Sequence, residues 1–174
     1  MKALRQFSIP FTGLKLGKHQ FDFTIDKSFF DAFEHSLVKD GELKASVELD
    51  KQETMLVLAI HIDGTIKLTC DTCLSEFDQA IALNERQIVK FAEEEEVEHD
   101  DLEIITLPRK ETAVDVSGLI YEYITVSVPF INKCEQAGQS CDPQMLETLR
   151  KLGGEQAQEE ETSDPRWEAL KNLK

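Results

Sequence analysis

Between residues 42 and 91, apolar and polar side chains alternate over long stretches, and no other feature restricts the fold of this chain as strongly. In "ELKASVELD", Leu43, Ala45, Val47 and Leu49 fall on one face. A repeat of two is the signature of a strand with one side in a core. "ETMLVLAIHI" is a denser apolar run and reads as a central strand, and "FDQAIALNERQIVKF" continues the pattern. Upstream, "KHQFDFTID" alternates Phe21, Phe23 and Ile25. Strands this close in sequence are expected to pair as an antiparallel meander. Asp63-Gly64 stands between strand-like residues, and Asp-Gly favours a type I′ turn, so residues 54–70 are expected to form a tight hairpin.

The helical signals are fewer. After Asp26, a candidate cap, "KSFFDAFEHSL" spaces Phe29, Phe30, Phe33 and Leu37 by three and four residues, an apolar helix stripe that reads as core. "DVSGLIYEYITVSVP" reads as a helix capped by Asp115, with Val116, Leu119, Ile120, Tyr123 and Ile124 as its stripe and Pro129 as its stop. Its β-branched content makes it weak alone, so it needs the sheet to support it. "DPQMLETLRKLGG" is a shorter helix with Asp142 as cap and Pro143 in the first turn. "LEIITL" reads as a short strand. "AEEEEVEHDD", residues 92–101, carries seven acids in ten positions and reads as an exposed loop, with a carboxylate metal cluster as the sharper alternative.

At 174 residues the chain is long enough for one domain with a sizeable core. The expected organisation is an α+β domain over residues 1–152, a curved antiparallel β-sheet with two main helices. An acidic linker and a short helical segment follow over residues 153–174. No apolar run approaches the roughly 20 residues that span a bilayer, and "MKALRQFSIPFTG" has no apolar core of a secretory signal, so a cytoplasmic protein is expected. The formal net charge is −15, and residues 91–174 hold 20 acidic and 8 basic residues. Such a polyanion is poorly suited to general nucleic-acid binding, which needs Lys and Arg at phosphates. The first 20 residues differ, with Lys2, Arg5, Lys15 and Lys18 and no acid. Any direct RNA contact is expected there, with an ordinary solvated edge as the plainer reading. In the tail, "DPRWEALKNLK" spaces Trp167, Leu170 and Leu173 by three. These side chains either fold back on the domain or dock in a partner's groove.

Four cysteines occur as two pairs. Cys70 and Cys73 fit C-x2-C at a strand-to-strand turn, a spacing that lets two thiolates converge on one Zn2+. Cys134 and Cys141 lie in "NKCEQAGQSCDP", between predicted helices. Together they satisfy the arithmetic of a four-thiolate zinc site, with plain thiols as the alternative reading. A redox pair ranks low, because such a C-x-x-C usually opens a helix within a βαβ unit. The histidines (His19, His35, His61 and His99) are scattered. There is no phosphate-binding loop, dinucleotide fingerprint or serine elbow. No residue is put forward as catalytic, and no small-molecule substrate is expected.

Three segments in order resemble the YceD family, the large ribosomal RNA subunit accumulation proteins: "GTIKLTCDTCL", "DVSGLIYEYITVSVPFINKC" and "DPRWEALKNLK". They frame roughly residues 60 to 174. The resemblance implies a bacterial or plastid-type protein needed for normal accumulation of 23S ribosomal RNA, with ribosomal proteins or precursor 23S RNA as partners. Many relatives carry a Gly-Leu-Cys-Pro-x-Cys-Gly segment after the helix, where this chain has only Cys134 and Cys141. The expectation is therefore a non-enzymatic factor for large-subunit assembly. The alternatives are a nuclease acting on precursor 23S RNA and a zinc-stapled protein-binding module of unrelated role.

Overall fold

The computed structural model describes residues 3–92 and 104–153. A 3-10 turn, Ala3–Phe7, leads into β1 (Ser8–Pro10). Then follow β2 (Gly17–Ile25), a single helical turn α1 (Lys27–Phe30), β3 (Gly41–Lys51), β4 (Met55–Thr69) and β5 (Glu76–Ala92). After these come β6 (Ile104–Pro108), β7 (Ala113–Asp115), helix α2 (Ser117–Ser127), a 3-10 turn at Cys134–Ala137 and helix α3 (Pro143–Leu152). Five strands form one sheet in the order β2-β3-β4-β5-β6, and β1 pairs with β7 in a second, two-stranded sheet. The fold is thus α+β, as the alternation predicts. All pairs in the main sheet are antiparallel except β5 with β6, which is parallel.

The buried positions follow the period of two. Leu43, Ala45, Val47 and Leu49 of β3 meet Leu56, Leu58, Ile60 and Ile62 of β4 on the inner face. Burial of a large aliphatic side chain contributes about 1.5–3 kcal/mol, so this two-strand seam is a principal source of stability. Helix α2 lies on that core through Leu119, Ile120 and Ile124. Its Tyr123 hydroxyl donates to Oε1 of the buried Gln87 on β5 at 3.0 Å. The helix stops where Pro129 forces its predecessor out of the helical region, and Val128 has ψ 126°. At the other end the cap falls one residue later than expected, at Val116, whose side chain makes no cap bond. Asp115, at the end of β7, accepts from the Ser117 N–H at 2.9 Å.

Two further expectations need correction. Asp63-Gly64 is not a turn: both residues lie inside the continuous strand β4, where Asp63 pairs with Lys44 and Gly64 with Leu43. Gly64 has φ +144°, and a Cβ there would stand 2.2 Å from the Glu42 carbonyl oxygen. The glycine is required by the close approach of β3, a use of Gly that the sequence alone does not distinguish from a turn. The chain instead reverses at residues 52–54 and 70–75. The second correction concerns the helix expected after Asp26. It ends at Phe30, with Asp31 as its C-cap, and a run of turns follows in which His35 takes φ 65°. Phe29, Phe30 and Phe33 are still drawn into an aromatic cluster with Phe7 and Tyr121, but Leu37 is left 71% exposed. Of the acidic loop expected over residues 92–101, Ala92 ends β5, and residues 93–101, like the tail with Trp167, Leu170 and Leu173, lie outside the described residues.

Candidate metal centre

The reversal between β4 and β5 is the C-x2-C segment itself. Cys70 closes β4, its N–H bonds the Ser75 carbonyl at 2.9 Å, and the Leu74 N–H returns to the Cys70 carbonyl at 2.9 Å. Leu74 takes φ 60°, an unusual conformation for a leucine, and its side chain is exposed. This tight turn brings the Cys73 backbone N–H toward the Cys70 sulfur. That hydrogen bond is the largest influence on the Cys70 thiol, whose pKa falls to about 6. Cys73 is lowered too, chiefly by the backbone N–H of Asp142.

The second pair arrives from the end of α2. Cys134 opens a 3-10 turn that Gly138 ends in the left-handed conformation (φ 70°), and the Gln139 N–H caps the Cys134 carbonyl at 2.9 Å. The returning loop places Cys141 immediately before Asp142, whose carboxylate accepts from the Gln144 N–H at 2.9 Å and caps α3. Two reciprocal bonds tie the halves together. The Asp71 N–H donates to the Asn132 carbonyl at 2.8 Å, and the Asn132 N–H donates to the Asp71 carboxylate at 2.7 Å.

All four sulfurs lie within 4.8 Å of one another. Cys70 is 3.8 Å from Cys141, and Cys73 is 3.7 Å from Cys134. Cys70, Cys73 and Cys134 are buried, with Cys141 at the rim, and all four are free thiols. Burial pushes the Cys134 thiol up to about 12 and that of Cys141 up to about 11. Backbone donors thus favour charge on the first pair while burial opposes it on the second. A divalent cation among the sulfurs removes that conflict, because it stabilises all four thiolates at once. The cluster could hold a metal ion, and it is the only such group of ligands among the described residues.

The remaining candidate residues do not join this site. Arg5 and Lys15 are exposed, Lys18 pairs with Glu48 at 2.7 Å, and Lys2 lies outside the described residues. His19 bonds the Lys15 carbonyl, His35 is exposed near Glu34, and His61 bonds Asn84 on the sheet. His99 is outside the described residues. Sequence reasoning missed the Asp71–Asn132 clamp, since no local pattern joins two residues 61 positions apart. Among the described residues, no helix is long and apolar enough to cross a membrane.

No curated protein and no solved structure gives a significant match to the chain. The family described as large ribosomal RNA subunit accumulation protein YceD matches residues 58–174, a span that begins within β4 and takes in all four cysteines. With most of its length matched, the chain belongs to the YceD family of large ribosomal RNA subunit accumulation proteins.

Proposed function

We propose that this protein is a non-enzymatic, cytoplasmic factor for large-subunit assembly, stapled by one structural Zn2+ held by Cys70, Cys73, Cys134 and Cys141, and that it supports 23S RNA accumulation by binding precursor RNA or a ribosomal protein on it. The observation that carries the zinc assignment is metric. A Zn–S bond of about 2.3 Å makes the edge of a tetrahedron of thiolates about 3.8 Å. The two paired separations here are 3.8 and 3.7 Å. A closed set of four thiolates leaves no position for a substrate or an activated water, which is the mark of a structural rather than a catalytic site. Zinc bound there supplies folding free energy, as it does for small zinc modules generally. In this chain it joins the β4–β5 turn to the loop that carries α3, alongside the two Asp71–Asn132 hydrogen bonds.

The role in 23S RNA accumulation rests on the family. The acidic surface favours basic ribosomal proteins as one class of partner, since like charge excludes bulk RNA from most of it. Two experiments test the proposal. Elemental analysis of protein purified without chelator is expected to find close to one zinc per chain, and less than about 0.1 would reject the staple, because structural zinc is not lost casually. Incubation of the pure protein with 23S precursor and Mg2+ is expected to leave the RNA intact. Specific cleavage would overturn the non-enzymatic reading.

A further inference from the structure

A groove of about 730 Å3 opens beside the cysteine cluster, between the segment after α1, the end of β4 and the end of α2. Its volume falls within the roughly 300–1,000 Å3 of small-ligand pockets. Lys27, Lys39 and Lys67 line it, together with Asp40, Asp71 and Glu76, so its formal charge is zero in a chain of −15. The charges are not evenly available. Asp40 accepts from the Gly41 N–H at 2.9 Å and faces Lys67 at 3.9 Å, and Asp71 accepts from the Asn132 N–H at 2.7 Å. The ammonium groups of Lys27 and Lys39 have no partner among the described residues. Of the three carboxylates, only Glu76 is left without a donor among the described residues, at the edge of β5.

The same groove carries an aromatic side chain with nothing on it. Phe130 is 100% exposed, and Leu37, also in the lining, is 71% exposed. An uncovered phenyl ring costs solvation free energy, and with unpaired lysines in the same concavity it makes the pairing used by single-strand binders, an aromatic face for a base and ammonium groups for phosphates. A duplex presents neither an unstacked base nor a strand narrow enough to enter. We propose that this groove binds a short unpaired segment of RNA, with one base stacked on Phe130 and its phosphates on Lys27, Lys39 and Lys67. This deepens the assembly-factor reading above and rests on it for the choice of RNA over other polyanions. The groove wall includes Asp71, inside the C-x2-C turn, and Asn132, which Asp71 holds, so the metal centre sets the shape of this wall.

The test uses the full chain in its metal-bound form and a short fluorescent single-stranded RNA of mixed sequence, followed by anisotropy at low ionic strength. Binding is expected, and weak binding at most to the same sequence as a duplex. Phe130→Ala is expected to lower affinity about tenfold, the usual worth of one stacked base. The double change Lys27→Glu and Lys39→Glu is expected to lower it by at least as much. Two or three phosphate contacts predict a log–log salt slope of about −1.4 to −2 for a single strand. The change Lys15→Glu with Lys18→Glu, on the N-terminal segment, is expected to leave affinity unaltered. Phe130 makes no buried contact, so its variant should melt like the parent, and that measurement guards against misfolding. Unchanged affinity in both groove variants, loss through Lys15 and Lys18 instead, or tighter binding of an acidic peptide such as the chain's own residues 92–101 would each overturn the groove assignment. Sedimentation with large-subunit precursors separates the two readings. If the parent protein and the groove variants co-sediment equally, the groove fails while the assembly role stands, and if the parent does not co-sediment at all, the assembly role itself fails.

Discussion

Replacing Gly64 by alanine should destabilise this protein far more than a glycine in an Asp-Gly turn would allow. The added Cβ would lie 2.2 Å from the Glu42 carbonyl oxygen and 2.6 Å from the Leu43 Cα, both backbone atoms of β3. Even a contact of 3.0 Å, which real Cβ atoms essentially never undercut, requires the strands to part by about 0.8 Å. Gly64 faces Leu43 on one side and Ile81 on the other, so the movement strains two ladders at the middle of the sheet. Holding an alanine at φ +144° costs about 1–3 kcal/mol. Weakening one or two ladder hydrogen bonds adds about 0.5–1.5 kcal/mol each. The total is about 1.5–6 kcal/mol, a large part of the about 5–15 kcal/mol that stabilises a typical domain. Urea denaturation followed by circular dichroism measures it, with the midpoint falling and the slope unchanged. Gly64→Asn sharpens the test, because a turn accepts asparagine at positive φ with little loss whereas the clash with β3 remains. If alanine costs less than about 1 kcal/mol, or asparagine restores most of the loss, the close approach of the two strands is not what requires glycine here.

On the zinc proposal, Cys134→Ser should abolish stoichiometric zinc binding and lower the melting temperature. A chelator should reproduce the effect on the parent but not on the variant, as read by metal analysis and calorimetry. Asp26→Ala removes the side chain that accepts from the Ser28 N–H at 2.9 Å at the start of α1 and should cost about 0.5–1 kcal/mol in urea denaturation. The same hydrogen bonds, that of the Ser28 hydroxyl first, hold the Asp26 carboxyl below its usual value of 3.8. Its contribution should therefore be complete above about pH 4 and disappear as the pH falls through the lowered value, so parent and variant should converge in acid. Tyr123→Phe leaves the Oε1 of Gln87 without its tyrosine donor beside α2 and should cost about 1 kcal/mol, with the metal content unaltered.

Much of the sheet could be derived from local order alone. The alternation in β2, β3, β4 and β5 names the residues that the core buries, because a strand's side-chain period is two whatever it pairs with. The stripe of α2 and the cap of α3 at Asp142 were readable for the same reason, since helix periodicity and capping act within a few residues. The C-x2-C spacing marked a candidate metal turn, and the family resemblance rested on ordered segments of sequence. What the local pattern misjudged was the use of one glycine, which a distant strand decides, and the length of one helix. Gly64 serves the approach of β3 rather than a turn, and the Phe-rich helix stops at Phe30, after one turn. The parallel pairing of β6 with β5 was equally invisible, since alternation carries no strand direction. Only the tertiary structure brought Cys134 and Cys141 to Cys70 and Cys73 across more than sixty residues, and gathered Lys27, Lys39, Lys67 and Phe130 around one groove. Sequence spacing determines what lies on one face of one element, whereas convergence of separate elements depends on how they pack, and packing is a property of the whole chain.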